Sequence, residues 1–415
     1  MRYMILIFAL INWTNIPAQN VLTQAEIKWL NDNVVTYSSS IDQVASEELV
    51  NISIPNGTKI IGLGEANHGT KEFQILKHKL AKYLIDKHEF NTIVFEFPYS
   101  HGLLLNDYVQ GKNEAGLKVL TDQKNSEYHN KQMLAFIEDI KRMNESKSDS
   151  NKIQFLGIDI MGKPYALKRI TGYFGRVGNS FETVLHNYQY LTEELYEYPS
   201  KENHKTFKKL SSTIYKQLKS NRQYYISKSS SLEYNRVYRL AELLGVEWKG
   251  NSRAKEGAKN ILNTLNENPK NKLFYFAHNW HVSENDQVEG NQLKKEIGSS
   301  YFSIGTDYQS GSFTLKNMTD RKNVFPDVVN VIPMVNCFAD HITSLKGNFH
   351  YLKIPDTGNG LNSWMSNPLY FAGTGMGFNR PFTVAEQFRQ KLKITHEFDA
   401  IIVFDKINPT TLLGN

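Results

Sequence analysis

Short apolar runs of strand length alternate along the chain with longer stretches in which apolar residues recur every three or four positions. The runs are Lys59 to Gly64, Thr92 to Phe97, Ile153 to Ile158, Leu273 to Ala277, Tyr301 to Thr306 and Ala400 to Phe404. Between the first two, Phe73, Leu76, Leu80 and Leu84 form one apolar stripe on a helix predicted over Lys71 to Lys87, with Thr70 as its N-cap and Glu72 in its first turn. Strand, helix and strand within about 40 residues make a βαβ unit, whose crossover is right-handed. The expected fold class is therefore α/β: a mainly parallel β-sheet flanked by helices. Residues 163–270 interrupt the alternation. They are rich in Lys, Glu, Tyr, Leu and Asn, lack any strand-like run, and predict an inserted all-helical subdomain, either a lid over the functional edge of the sheet or a cover for one of its faces. Residues 19–415 then read as one domain carrying that insertion.

The first 18 residues do not fit this scheme. Arg2, the apolar stretch Met4 to Ile11 and the turn ending Ile16-Pro17-Ala18 have the layout of a signal peptide cleaved after Ala18. The apolar stretch falls far short of the roughly 20 residues that a membrane span needs. The expectation is a secreted or periplasmic protein without stable membrane insertion. Composition agrees with a globular chain: 40% of the 415 residues are hydrophobic and 22% charged. A net charge of +6, with no clustered basic patch, gives no reason to expect nucleic acid as a partner. Cys337 is the single cysteine, which rules out an intrachain disulfide and a CxxC metal site.

Chemistry enters at the ends of the apolar runs. Glu65 and His68 follow the first, Glu96 interrupts the end of the second, Asp159 closes the third, His278 and His281 follow the fourth, and Asp307 follows the fifth. Ligands of parallel α/β sheets bind beyond the carboxyl ends of the strands, so these groups are expected to converge on one edge. Glu96 is the most telling, because a carboxylate inside a buried strand costs several kcal/mol unless it is paired. No GxSxG elbow, GxxxxGK[ST] loop or HExxH helix occurs. Gly62-Leu63-Gly64 opens like a dinucleotide fingerprint, but Asn67 replaces the third glycine and Glu65 would repel a pyrophosphate. Gly373-Thr374-Gly375-Met376-Gly377 follows no strand and reads as a flexible loop.

Imidazoles and carboxylates without a Ser or Cys nucleophile suit three readings. In the first, His68 removes a proton from water while a carboxylate orients the ring or balances its charge. In the second, His68, His278 and His281 with Glu65, Glu96 or Asp159 hold a divalent metal that assists hydrolysis. In the third, the cleft binds a polyketide- or sugar-like ligand without turnover, using an aromatic supply of 12% that includes Trp248, Trp280 and Trp364.

At these residues the chain resembles the erythromycin esterase family. The likeness runs through GLGEANHGTKEF at Gly62 to Phe73, FEFP at Phe95 to Pro98, Asn106 with Tyr108, FLGIDI at Phe155 to Ile160, FAHNWHV at Phe276 to Val282, IGTDYQSGSF at Ile304 to Phe313 and FDAIIVF at Phe398 to Phe404. The resemblance implies an α/β hydrolase of ester bonds with an active-site cleft and a small-molecule ester as its partner. It implies that His68 is the water-activating histidine, that Glu65 and Glu96 are active-site carboxylates, and that His278 and His281 are further catalytic histidines. Lys77, Arg253 and Asp159 are expected on the substrate side, with no cofactor required. Lys77 stands where the macrolide esterases carry an arginine, keeping the charge but losing the planar fork. Ala254 stands where an Asp usually follows Arg253. The departure at Lys77 bears on macrolides as substrates more than on hydrolysis.

Overall fold

The computed structural model describes residues 22–122, 128–192, 200–285, 287–319, 325–355, 360, 363–375, 377–378 and 382–414. Residues 1–18, expected to be a signal peptide, lie outside the described residues. All six apolar runs are strands: β1 Ile60–Glu65, β2 Thr92–Pro98, β3 Gln154–Asp159, β4 Leu273–His278, β5 Tyr301–Asn317 and β6 Ala400–Ile407. They lie side by side and parallel in the order β6-β5-β1-β4-β2-β3. An antiparallel edge extends the sheet beyond β6 through Phe349–Lys353 and Val35–Tyr37.

β5 is far longer than its apolar run predicts. Its first part pairs with β6 as far as Gly311, and its second part pairs antiparallel with Phe325–Asn330. Gln309 to Ser312 at the changeover are only half-buried, so no hydrophobic pattern announces the continuation.

The predicted helix is α1, Lys71–His88, with Phe73, Leu76, Leu80 and Leu84 buried against the sheet, and α2 Tyr99–Val109 and α3 Lys131–Glu145 follow β2. Thr70 holds the N-cap position as expected, but its side chain does not cap the helix. The Thr70 hydroxyl donates to Asn67 Oδ1 at 2.8 Å instead of capping the helix, and the turn is closed by the Gln74 amide donating to the Thr70 carbonyl. The helix therefore starts from a knot of polar groups directly behind the end of β1.

Residues 163–270 contain α-helices in their described parts, chiefly α4 Lys163–Arg176, α5 Lys201–Ser220, α6 Ser231–Gly245 and α7 Ser252–Asn266. Leu167, Ile170, Phe174, Phe207, Ile214 and Leu240 from α4 to α6 form a core that runs on into Tyr99 and Leu103, in the helix after β2, and Leu156 of β3. α7 differs: its Ile261 packs with Ile60, Val94 and Tyr275 of the sheet itself. That placement brings the start of α7 to the carboxyl edge of the strands. Among the described residues no helix is long and apolar enough to cross a membrane.

Candidate active site

β1, β4, β2 and β3 are neighbours in the sheet, so residues at their carboxyl ends meet although they are far apart in sequence. Glu65 and His278 are direct cross-strand partners. β2 carries one extra residue against β3 between Phe95 and Pro98, a bulge of the kind that re-aims side chains, and Glu96 sits in it. The Glu96 Oε2 atom accepts the His278 backbone amide at 3.0 Å.

The first cluster is built on Glu65, which has no exposure to solvent. Its Oε1 lies 2.7 Å from His68 Nδ1, and its Oε2 lies 2.5 Å from Lys77 Nζ and 3.1 Å from Gln74 Nε2. Burial alone would raise the Glu65 carboxyl, but Lys77 and His68 together outweigh it and hold it below the usual range. With Nδ1–H donated to a carboxylate, the lone pair of His68 resides on Nε2, the atom that can accept a proton. The His278 ring stands 5.5 Å from the His68 ring, and the Tyr128 ring stands 6.0 Å away.

The second cluster is built on Glu96. Its Oε1 takes His281 Nε2 at 2.9 Å and Arg253 Nη2 at 3.0 Å. The other nitrogen of His281 meets Glu289 Oε2 at 2.8 Å. Burial would lower the His281 imidazole, yet two flanking carboxylates push it up to about 10, so it is a cation throughout the physiological range. Glu96 is held well below the carboxylate range, because His281, His68 and Arg253 overcome its burial.

His278 has the opposite character. Its Nε2 faces the Thr374 carbonyl at 3.2 Å and its Nδ1 accepts the Trp280 amide at 3.3 Å. A carbonyl can only accept and an amide can only donate, so this ring is neutral with its proton on Nε2. Burial pushes its pKa down to about 4. The sign of the consequence follows: the unfolded chain binds a proton near pH 6.5 and the folded chain does not until about pH 4, so stability falls as pH falls through that window. Chemical denaturation of His278→Gln across pH 4 to 6.5 is expected to show a flatter dependence than the wild type.

The structure places three of the residues expected on the substrate side in ion pairs with the protein. Lys77 was expected to touch substrate, but it is 1% exposed and lies behind Glu65, with the Phe276 ring 4.7 Å from its Nζ. Arg253 was expected there too, but its Nε and Nη2 bind Asp159 Oδ2 at 2.9 and 2.6 Å, and Nη2 also binds Glu96. Asp159 spends its Oδ1 on the Ile160 amide and its Oδ2 on Arg253, which makes it the anchor of that arginine. The physical reason is shared, since buried charges must be paired before they can do anything else. Asp307 lies at the same sheet edge but joins another network, with Arg389 Nη1 at 3.0 Å and the amides of Tyr308 and Ala372.

Thr374 and Glu289 were missed by sequence reasoning. The Gly373–Gly377 segment read as a flexible loop, yet the Thr374 amide donates to the Ala66 carbonyl and Thr374 is buried. Glu289 opens the helix Glu289–Ile297 and reads as an ordinary exposed first-turn acid, but it is 2% exposed. The one hint is Gly257, where a Cβ would come within 2.8 Å of Glu289 Oε1. Gly64 has a comparable role. A Cβ there would meet Asn279 Oδ1 at 2.3 Å, and Asn279 clamps both the amide and the carbonyl of Thr306. The glycines of Gly62-Leu63-Gly64 thus admit the turn Asn279–Val282 that carries His281. Gly64→Ala is expected to cost about 1–3 kcal/mol of stability by overpacking, measurable by denaturant titration.

The metal reading meets a specific obstacle. Both nitrogens of His281 and both oxygens of Glu96 are committed to protein partners, and the His278 Nε2 proton points at a carbonyl. Among the described residues no three His, Cys, Asp or Glu side chains stand so that they could share one ion.

Fold and site together define an α/β protein with a histidine–carboxylate centre on the carboxyl edge of a parallel sheet. The chain belongs to the erythromycin esterase family, whose family model matches residues 85–407. That match starts downstream of Glu65, His68 and Lys77. Among curated relatives, the erythromycin esterase type II of Escherichia coli is 33% identical over 106 residues, 25% of this chain and 24% of that protein. The type I enzyme of the same organism is 41% identical over 44 residues, 11% of each chain. The chain therefore matches about a quarter of the length of the first relative and less of the second. Solved structures share the fold over nearly the whole chain. A Bacillus cereus protein superposes with a TM-score of 0.76 at 19% identity, covering 94% of this chain and 98% of its own. A succinoglycan biosynthesis protein gives 0.74 at 21% identity with the same coverage. An erythromycin esterase variant in its open conformation gives 0.67 at 14% identity, covering 92% and 100%.

Proposed function

We propose that the protein is a hydrolase of the esterase kind that cleaves a small-molecule carboxylic ester with histidine-activated water. The observation that carries this reading is the His68–Glu65 pair at 2.7 Å with Lys77 immediately behind Glu65. In the proposed reaction His68 Nε2 takes a proton from water, and the water oxygen attacks the ester carbonyl. The tetrahedral intermediate collapses, the C–O bond to the alcohol breaks, and His68 returns its proton to the departing oxygen. Glu65 holds the ring in the required tautomer and balances the imidazolium, the role a carboxylate plays beside a general-base histidine.

The carbonyl oxygen needs a donor while it carries negative charge. His278 is suited to this, since its Nε2–H is spent on a long bond to the Thr374 carbonyl that a substrate oxygen can replace. Arg253 and His281 supply positive charge on the flank of the site, fixed in place by Glu96, Asp159 and Glu289. Lactone rings of macrolides are one substrate class that family membership brings into question, to be tested beside simple acyl esters.

The proposal includes no cofactor. Turnover of an ester by the purified protein is expected to survive a strong chelator, and loss of activity restored by one added metal would favour the metal-assisted reading. Binding of ligands across an ester panel without product would favour the non-catalytic reading. We also propose export directed by residues 1–18, for which the mature N-terminus at Gln19 is the check.

A further inference from the structure

We propose that the groove between α1 and α3 is a second ligand site, for a small monocarboxylate with an apolar tail, separate from the histidine–carboxylate centre. The groove has a volume of about 300 Å³, the low end of what small-molecule sites use. α1 gives one wall through Ile75, His78 and Lys79, and α3 gives the other through Ala135 and Asp139. Gln74 belongs to both the groove and the centre, and it is spent on the centre. Its amide nitrogen donates to Glu65 Oε2 and to the His68 carbonyl, and its oxygen accepts Lys77. A ligand in the groove must therefore find its polar anchor at another residue.

Charge selects the ligand. Asp139 is the acid of the groove, and its oxygens are taken by His78 Nε2 at 2.6 Å and by Arg142. Lys82, which also lines the groove, is paired with Asp86 at 2.9 Å. That leaves Lys79. Among the described residues its ammonium bonds the backbone carbonyls of Asp42 and Val44, while the carboxylates of Asp42 and Glu48 attract it without bonding it or lining the groove. An ammonium has three N–H donors, so one remains, and the Ser46 hydroxyl, two residues beyond Val44, lines the same groove. One unbalanced cation calls for a monoanion; a second negative charge would meet Asp139, and a cation would meet both lysines. His78 adds no charge, because burial, seconded by Lys79 and Lys82, pushes it down to about 4. Ile75, Ala135 and the carbon stems of the two lysines supply apolar surface, which suits a short hydrocarbon tail rather than a bare inorganic anion.

The test is a ligand-observed NMR titration of the full chain with hexanoate, and with hexanamide as its uncharged counterpart. The wild type and His68→Ala are expected to bind hexanoate alike, and hexanamide about 10- to 100-fold more weakly, the range of one charged hydrogen bond. Lys79→Met is expected to lose the same factor for hexanoate and nothing for hexanamide. Ala135→Trp, at an exposed position of α3, fills the groove and is expected to abolish binding of both. It leaves the Lys79 bonds to Asp42 and Val44 in place, so it remains decisive if Lys79→Met fails to fold. No binding by the wild type, undiminished hexanoate binding in Ala135→Trp, or hexanamide binding as tightly as hexanoate overturns the proposal. Loss of hexanoate binding in His68→Ala would place the carboxylate at the histidine centre and overturn it too. Whether an ester is turned over decides the hydrolase reading and leaves this one standing.

Discussion

Replacement of His68 by alanine is expected to lower turnover of an ester substrate by about 10²- to 10⁴-fold, the usual contribution of a positioned general base. The side chain is 3% exposed and its Nδ1 is bonded to Glu65, so the variant loses a base and also frees a carboxylate that Lys77 still neutralises. The fold should survive for that reason, and the loss should appear in kcat more than in KM. His68→Gln is the informative companion, because it keeps a donor near Glu65 but has no basic nitrogen. Equal losses in the two variants assign the effect to proton transfer. A wild-type rate in His68→Ala would remove His68 from the mechanism.

Replacement of Lys77 by methionine is expected to destabilise the protein by about 3–5 kcal/mol, the cost of leaving one partner of a buried ion pair alone. Lys77 Nζ is the main counter-charge of Glu65, whose carboxylate has no contact with solvent. Its own ammonium already sits below the ordinary lysine range, since burial outweighs the pull of Glu65. The pH dependence carries a sign. In the wild type Glu65 is depressed below its unfolded value, so its contribution is present above that value and is lost as pH falls through the folded one. Without Lys77 burial dominates and the carboxyl rises, so stability from this group instead falls as pH climbs above the unfolded value. Denaturant titrations at several pH values read both effects. Lys77→Met/Glu65→Leu, which removes both charges, should recover much of the stability and none of the activity; if the single variant is as stable as the wild type, the buried pair is not what holds Glu65 ionised.

The sheet was readable because the parallel strands are largely buried on both faces and leave short apolar runs, as at Ile60 to Gly64 and Ala400 to Phe404. The second part of β5 was not, because Gln309 to Ser312, which lead into its pairing with Phe325–Asn330, are only half-buried and break the apolar pattern. In the site, the chemistry-bearing residues at strand ends could be found from position alone. Which of them face substrate could not. Arg253, Asp159 and Lys77 are acids and bases at the right edge, but whether a charge meets a ligand or another charge depends on partners such as Glu289 and Glu96 that are distant in sequence. Thr374 was invisible for a simpler reason, since its contribution is a backbone carbonyl and any residue has one.

The arrangement separates three imidazoles by their surroundings. His281 lies between two carboxylates and is a cation, His278 is neutral with its proton directed at the Thr374 carbonyl, and His68 is braced by one carboxylate that a lysine keeps ionised. Distinct environments for chemically identical side chains are how one site can hold a base, a hydrogen-bond donor and a fixed charge at the same pH.

Hydrolysis of an ester panel that includes a macrolide lactone, run in ¹⁸O-labelled water with mass spectrometry of the products, tests the central claim most directly. The account predicts one labelled oxygen in the carboxylic acid and none in the alcohol, formed by the wild type in the presence of chelator and lost in His68→Ala. Label in the alcohol, or labelled acid formed equally fast by His68→Ala, would contradict it.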